Sequence, residues 1–159
     1  MTLYKLPIVC LVVSLARFLL GKLVFSRSFI RQVIRTENDE PFMIFRHVGI
    51  PEQKSSGTGA VLLIRFRFNA LPDCLNRFIS LFPMLLITGF PGFRTKMYAV
   101  NHENGYWMGL YEWKSLQALR DYRGSFVLKV MNRRASAGSV TYRELPGTNL
   151  SDYIEAHQC

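Results

Sequence analysis

The first 36 residues contain no aspartate or glutamate, although six lysines and arginines fall among them. Residues 37–159 hold the other 14 basic residues and all 11 acidic ones, so most of the formal net charge of +9 belongs to the N-terminal segment. A nucleic-acid-binding domain needs a basic patch on its folded surface. We therefore expect no nucleic-acid partner.

Cysteine is scarce and scattered. Cys10, Cys74 and Cys159 lie far apart, and no CxxC pair occurs. The three histidines are not spaced with cysteine, aspartate or glutamate as a metal site requires. The sequence therefore predicts no disulfide framework and no metal site, and it fits a reducing compartment.

Several catalytic motifs are also missing from the sequence. It contains no nucleophile elbow, no phosphate-binding P-loop, no dinucleotide fingerprint and no HExxH zinc motif. The enzyme classes that depend on those motifs are excluded. Hydrophobic residues nevertheless make up 49% of the chain and aromatic residues 13%, so a globular core is expected.

The longest hydrophobic run is close to the N-terminus. Residues 6–16 carry no charge, and the apolar character resumes after Arg17 as far as Phe25. A membrane-spanning helix needs about 20 apolar residues, and a span over residues 6–25 would include Arg17 and Lys22. We interpret residues 1–36 as a hydrophobic and basic helical segment that associates with a membrane or targets the chain.

Several locations are compatible with this segment. A signal anchor or membrane-associated helix leaves the globular domain in the cytoplasm, because positive charge is denser after the run than before it. A cleaved signal peptide would give a secreted protein, a transit peptide would send it to an organelle, and an ordinary buried helix remains an alternative. Arginines recur every fourth residue over 27–35, which predicts a helix with a basic face at an anionic membrane or in solvent.

Residues 37–58 are interpreted as a linker. An acidic cluster and Pro41 end the basic region, residues 42–48 are a candidate short strand, and residues 49–59 are rich in Gly, Ser and Pro. A domain over residues 59–154 and a tail over residues 155–159 follow.

The pattern of the domain changes between strand and helix in a definite order. Alternation predicts strands over 60–68, 93–100, 106–113 and 138–145, and helical spacing predicts helices over 74–86 and 116–135. Pro83 is expected to split the first helix and Gly124 to break the second. The βαββαβ order predicts an α+β, ferredoxin-like antiparallel sheet with helices on one face. Its other face is expected to be open and to need a partner.

One stretch of this domain carries a resemblance. It rests on the sequence Phe90-Pro91-Gly92-Phe93, on Lys96 and Tyr98 of the second strand, on the aromatic strand before the second helix, and on residues 122–131 of that helix. Over residues 58–154 the chain resembles the dimeric α+β-barrel superfamily, in particular small mono-oxygenases related to antibiotic-biosynthesis monooxygenases.

The resemblance implies a homodimer with sheets packed face to face and a pocket between each sheet and its helices. It also implies that some members oxidise small aromatic compounds with O₂ and no cofactor. Haem-degrading relatives carry an axial histidine on the second helix, and residues 116–135 contain none. We therefore expect no cofactor.

The candidate site consists of polar and aromatic residues on the predicted strands. Trp107, Tyr111 and Trp113 share one strand face, with Gly109 leaving room for a flat ligand. Lys96 or Arg65 could hold an anionic group, and Asn69 could hydrogen-bond a substrate. The candidate substrate-binding residues are Arg65, Asn69, Lys96, Tyr98, Trp107, Tyr111 and Trp113.

Other interpretations of these residues remain open. The aromatic side chains could instead fill the core or a dimer interface. Arg65 could form an ion pair with Glu112 or Glu144. His102, in the predicted hairpin loop, has the position of a solvated turn residue.

Two functions follow from these observations. The first is a membrane-associated, dimeric, cofactor-independent mono-oxygenase-like protein that acts on a small aromatic or apolar compound. The second is a non-catalytic, membrane-associated dimeric module for ligand binding or assembly. A cavity too small for a ligand would favour the second.

Overall fold

The computed structural model describes residues 6–51, 59–68 and 72–159. The strands are β1 (Val24–Phe25), β2 (Val33–Arg35), β3 (Pro41–Gly49), β4 (Ala60–Arg67), β5 (Phe93–Val100), β6 (Tyr106–Trp113) and β7 (Thr141–Pro146). The helices are α1 (Pro7–Leu19), α2 (Asp73–Ile79), α3 (Leu81–Thr88), α4 (Leu116–Arg123), α5 (Phe126–Arg133) and α6 (Leu150–His157).

These strands form one antiparallel sheet. Its order is β1-β3-β5-β6-β4-β7, with β2 also paired to β3. The four strands β5-β6-β4-β7 follow the strand order of the ferredoxin-like βαββαβ unit, and β5 and β6 occupy the predicted ranges. The prediction of an α+β, ferredoxin-like sheet is therefore confirmed.

Both predicted helices are broken, the first helix three residues before Pro83 and the second at Gly124. The first divides into α2 and α3 at Ser80, and Pro83 lies in the first turn of α3, where a missing N–H removes no helical hydrogen bond. The second divides after Gly124, and the hydroxyl of Ser125 accepts a hydrogen bond from the N–H of Leu128 at the start of α5. Each half can therefore follow the curvature of the sheet separately.

The segments before the βαββαβ unit are also part of the sheet. Strand β3 lies within residues 37–58, the segment interpreted as a linker, and it pairs with β5. Strands β1 and β2 pair with β3 in turn. The helix predicted over residues 27–35 is wrong: Arg31 has a φ of 72°, and β2 follows it because β3 offers a backbone partner.

The sheet separates two hydrophobic cores. Helices α3, α4 and α5 cover one face, in a cluster that includes Leu62, Tyr111, Trp113 and Tyr122. The other face, which the sequence analysis expects to be open, is covered within the chain by Leu150, Tyr153 and Ile154 of α6 together with Ile34. The centre of that face therefore needs no partner. The homodimer itself stays a prediction.

Helix α1 packs closely against the end of α3. Cys10 and Ser14 are buried there, and the hydroxyls of Ser14 and Thr88 lie 2.7 Å apart. The backbones of Cys10 and Gly89 meet so closely that a methyl group on Gly89 would lie 1.7 Å from the Cys10 carbonyl oxygen. Within the described ranges, no helix combines the length and the apolar character that crossing a membrane requires.

This close approach predicts a specific effect of Gly89→Ala. Both Gly89 and Gly124 have helical backbone angles, so alanine is allowed at either position by its own conformation. At Gly124 the nearest atom to an added methyl is 3.8 Å away. We expect Gly89→Ala to lower the free energy of unfolding in urea by about 1–3 kcal/mol, and Gly124→Ala to leave it unchanged or slightly raised. Equal stability of the two variants would contradict the packing of α1 on α3.

Candidate functional site

A buried cavity of about 30 Å³ lies between the helix-covered face of the sheet and helices α3 and α5. Strand β5 contributes Lys96 and Tyr98 to its wall, and strand β6 contributes Trp107 and Tyr111. Four of the seven candidate residues from the sequence therefore line one cavity. Phe66, Phe68 and Met131 complete much of the apolar lining.

The pairing of β5 with β6 brings these side chains together. Lys96 is the register partner of Tyr111, and Tyr98 is the partner of Gly109. A methyl group on Gly109 would lie 2.6 Å from Cε2 of Tyr111, which shows that the tyrosine ring lies over the glycine. The space predicted for a flat ligand above Gly109 is therefore filled by Tyr111. The absence of a side chain at Gly109 makes room for that ring.

Lys96 is the unusual residue of this cavity. Its side chain is 1% exposed, and its Nζ lies 4.0 Å from the ring centroid of Tyr98 and 4.4 Å from that of Tyr111. It makes no hydrogen bond to the residues that the structure describes. Burial lowers the pKa of Lys96 well below the ordinary lysine value, and the nearby guanidinium of Arg46 lowers it further. The surroundings thus favour the neutral amine.

The two tyrosines whose rings contact Lys96 are also buried. Tyr98 Oη is buried and has no hydrogen-bond partner in the described part of the chain. Tyr111 Oη makes no hydrogen bond of normal geometry there, although its interaction with the Tyr122 hydroxyl helps to raise its pKa. Burial raises the pKa of both phenols, so both remain protonated and can donate. A water needs about two to four polar partners and a cavity of roughly 10–15 Å³ or more. A water, or an oxygen atom of a ligand, would therefore satisfy these groups.

Arg46 is a neighbour of the cavity that the sequence analysis missed. It lies on β3, where its Nη1 donates to Ser80 Oγ at 2.8 Å and its Nη2 donates to the Arg77 carbonyl oxygen at 3.1 Å. Its Cζ lies 5.2 Å from the ring centroid of Tyr98. Residues 42–48 were a candidate short strand in the sequence, but nothing local indicated that this strand would pair with β5 and bring Arg46 to the site.

Arg65 lies on the opposite face of the sheet from the cavity. Its Nε and Nη2 donate to the two carboxylate oxygens of Glu40 at 2.8 and 2.7 Å, and its Cζ lies 3.5 Å from the ring centroid of Tyr106. Arg65 does not form the ion pair with Glu112 or Glu144 that the sequence left open as an alternative, because those carboxylates pair with Arg94 and Arg123. Arg65 fixes the segment before β3 to the sheet and does not reach the pocket.

Of the two remaining candidate residues, Trp113 lies away from the cavity wall. Trp113 is fully buried in the core, 4.7 Å from the ring of Tyr122 and 5.8 Å from that of Phe90, centroid to centroid. Trp113 therefore packs in the core next to the cavity and does not form part of its wall. Asn69 lies outside the described residues.

Histidine takes no part in this cavity. His102 is exposed in the hairpin loop, as its sequence position indicated. His47 is half-buried, and its Nε2 lies 2.9 Å from Thr95 Oγ1. Across residues 6–51, 59–68 and 72–159, no group of three or more His, Cys, Asp or Glu side chains is placed to hold a metal ion.

The arrangement combines a proton acceptor with two hydrogen-bond donors in apolar surroundings. A neutral lysine amine can remove a proton from a weak acid. Two phenol hydroxyls beside it can donate to the oxygen on which negative charge then develops, and such donors act most strongly where water is excluded. These groups can therefore promote the ionisation of an enolisable or phenolic compound.

Comparison with known proteins supports the fold. Neither a protein-family model nor a curated protein matches the sequence. The structure is similar to that of an uncharacterised ferredoxin-fold protein from Listeria monocytogenes that is related to antibiotic biosynthesis monooxygenases, with a TM-score of 0.52 and 11% identity over 86% of this chain and 89% of that one. The resemblance in fold predicted from the sequence is confirmed.

A second similar structure is that of an anthrone oxidase-like protein. Its TM-score is 0.46 and its identity 14%, and the match covers 69% of this chain. It spans only 57% of the other protein's length.

The buried amine predicts a pH-dependent effect of Lys96→Met. Burial places the folded-state pKa of Lys96 below the unfolded value of about 10.4. At low pH the amine is charged, and its burial destabilises the folded protein. This destabilisation shrinks as the pH rises and is lost above the unfolded value. We expect Lys96→Met to raise the free energy of unfolding at neutral pH, with an advantage that shrinks toward pH 10. Urea titrations across this range measure it, with Lys129→Met on the exposed surface of α5 as the control. An advantage independent of pH would contradict the shifted pKa.

Proposed function

We propose that this chain is a cofactor-independent mono-oxygenase-like protein that acts on a small aromatic compound with an ionisable C–H or O–H group. One observation carries the proposal: the buried Lys96 amine lies against the rings of Tyr98 and Tyr111 in one apolar cavity, and the Tyr98 hydroxyl has no hydrogen-bond partner among the described residues. Buried polar groups without hydrogen-bond partners cost stability. Their presence in a folded protein therefore calls for an explanation, and a functional role supplies one.

The first step of the proposed reaction is a proton transfer. A substrate with a methylene group next to an aromatic carbonyl places its carbonyl oxygen against the hydroxyls of Tyr98 and Tyr111. The neutral Lys96 amine removes a proton from the methylene carbon and becomes an ammonium ion. The resulting enolate is stabilised by the two hydroxyl donors, and its electrons become available to O₂.

The second step forms the new C–O bond. The enolate carbon donates an electron pair to O₂, which becomes a carbon-bound peroxide anion, and the Lys96 ammonium returns its proton to the terminal oxygen. Loss of water from this hydroperoxide breaks the O–O bond and leaves a second carbonyl. The overall change, CH₂ + O₂ → C=O + H₂O, balances without a metal or organic cofactor.

The cavity must open for an aromatic substrate. Its volume of about 30 Å³ accommodates a water but not a ring. Met131, on the α5 side of the lining, is unbranched and can repack. Phe68 follows the last residue of β4 and lines the same cavity. We expect movement of these two side chains to admit the substrate.

The small cavity is also the observation that favours a second candidate function. A non-catalytic module would use the same face for ligand binding or assembly. Lys96 and the tyrosines would then hold a small polar group or a water. Binding without turnover distinguishes this function from the first.

Oxygen uptake tests the oxygenase directly. We expect purified protein to consume O₂ with hydroquinones or with tricyclic aromatic ketones that carry a methylene group next to the ring. Removal of a general base slows such reactions by about 10²-fold or more, and removal of an oxyanion donor by about 10²–10³-fold. An oxygen electrode should therefore show large losses for Lys96→Met and Tyr98→Phe.

Tyr153→Phe is the matched control, because Tyr153 is buried on the opposite face of the sheet. It should retain the uptake rate of the unsubstituted protein. If no compound stimulates O₂ uptake while the same compounds quench the tryptophan fluorescence saturably, the binding module is correct. If Lys96→Met and Tyr153→Phe behave alike in both assays, neither function uses this cavity.

A further inference from the structure

Exposed apolar side chains are concentrated on one part of the molecule. Of the twelve large apolar side chains that are exposed in the described residues, eight lie within residues 8–25 and three lie on α2 and α3. They are Ile8, Val12, Leu15, Phe18, Leu19, Leu20, Val24 and Phe25, then Leu75, Phe78 and Phe82. Monomeric soluble proteins rarely expose large contiguous apolar patches without a partner.

Helix α1 presents these side chains as a continuous stripe. The spacing i, i+4, i+7 and i+11 places one set on a single helical face. That set is Ile8, Val12, Leu15 and Leu19, which are 53–76% exposed. The other side of the helix is anchored, since Cys10 and Ser14 are buried against α3. The stripe therefore points away from the protein.

Helices α2 and α3 extend this apolar surface. Phe78 is 72% exposed and Phe82 is 60% exposed, on either side of the break at Ser80. Because α1 packs against α3, the two sets of side chains belong to neighbouring helices. We call this combined area, from residues 8–25 and residues 75–82, the docking surface.

The segments that form the docking surface are rich in positive charge, and the acidic residue nearest to them in the sequence is Asp73, at the start of α2. Residues 6–36 and 74–102 contain no Asp or Glu. Lys22, Arg27 and Arg31 are exposed. A surface groove of about 580 Å³ between β1 and β3 is lined by arginines together with Phe25 and His47. This composition complements an anionic partner that also has an apolar layer.

We propose that the docking surface binds the interface of an anionic lipid bilayer. The exposed stripe of α1 lies among the acyl chains next to the headgroups, with the helix axis along the membrane plane, because its other side is fixed to the protein. Arg27 and Arg31, in the groove between β1 and β3, contact the lipid phosphates. Each cation near such a surface adds about fivefold to the affinity.

The docking surface is continuous with the cavity. Ser80 and Pro83 line the cavity, and the exposed Phe78 and Phe82 lie within two residues of them. A compound dissolved in the bilayer would thus approach the cavity from the lipid side. This consequence rests on the proposed function, whereas the docking itself does not.

Vesicle co-sedimentation of the full chain tests the docking. The unsubstituted protein should sediment with vesicles that contain phosphatidylglycerol and much less with phosphatidylcholine alone. Val12→Gln with Leu15→Gln, and separately Phe78→Ser with Phe82→Ser, should each weaken the partition by about tenfold or more, because each apolar side chain that leaves the lipid loses several buried CH₂ groups. Phe126→Ser is the matched control: Phe126 is 57% exposed on α5.

A second pair of variants tests the charge. Arg27→Gln with Arg31→Gln should reduce binding to the anionic vesicles by about 25-fold, at roughly fivefold per cation. Arg120→Gln with Arg133→Gln, on the exposed surfaces of α4 and α5, should leave it unchanged. Circular dichroism of all variants verifies that each one folds.

Three results would overturn the proposal. The unsubstituted protein could fail to sediment with any vesicle, or Phe126→Ser could lose as much binding as the paired variants. The third result is a dimer, detected by sedimentation equilibrium without vesicles. In this case the α1 and α2–α3 variants, and no others, would dissociate the dimer, and they would still bind vesicles. The docking surface would then bind a second copy of the chain. No substrate is present in these assays, so their outcome is independent of oxygen uptake.

Discussion

The register between β5 and β6 is the constraint on which the cavity depends. It sets Lys96 opposite Tyr111 and Tyr98 opposite Gly109, so that one amine and two phenol rings share a face. A slip of one residue in either strand would turn that strand's side chains to the other face of the sheet. The absence of a side chain at Gly109 lets the Tyr111 ring lie back over the sheet beside the amine. The shifted pKa of Lys96, the protonated phenols and the proposed chemistry all follow from this pairing.

Local signals in the sequence predicted the unit that contains the cavity. Alternation located β5 and β6 with the hairpin loop between them, and Pro83 and Gly124 indicated that each predicted helix would be broken. These features depend on neighbouring residues along the chain, so a single sequence contains them. The shared faces of Lys96 with Tyr98 and of Trp107 with Tyr111 follow from the same period of two.

Contacts between distant segments could not be predicted in this way. The pairing of β3 with β5 makes residues 41–49 part of the sheet, and it alone brings Arg46 to the cavity. The cover that α6 provides over the second face joins residues about 90 positions apart, such as Val61 and Tyr153. Alternation along the strand already places Arg65 and Ile64 on opposite faces of the sheet. In the structure, Arg65 lies on the face where Glu40 binds it. The regular spacing of arginines over residues 27–35 is typical of a helix. The conformation of that segment is nevertheless determined by its backbone pairing with β3.

Lys96 is the residue on which the proposed chemistry depends, and its protonation can be observed directly. The ¹³Cε resonance of this lysine, identified by its absence in Lys96→Met, reports the charge of the amine as the pH is varied. We expect a midpoint below the ordinary lysine value of about 10.4, and we expect the midpoint to move when a phenol occupies the cavity. A midpoint at the ordinary value that no phenol changes would contradict a neutral base in a ligand-binding cavity.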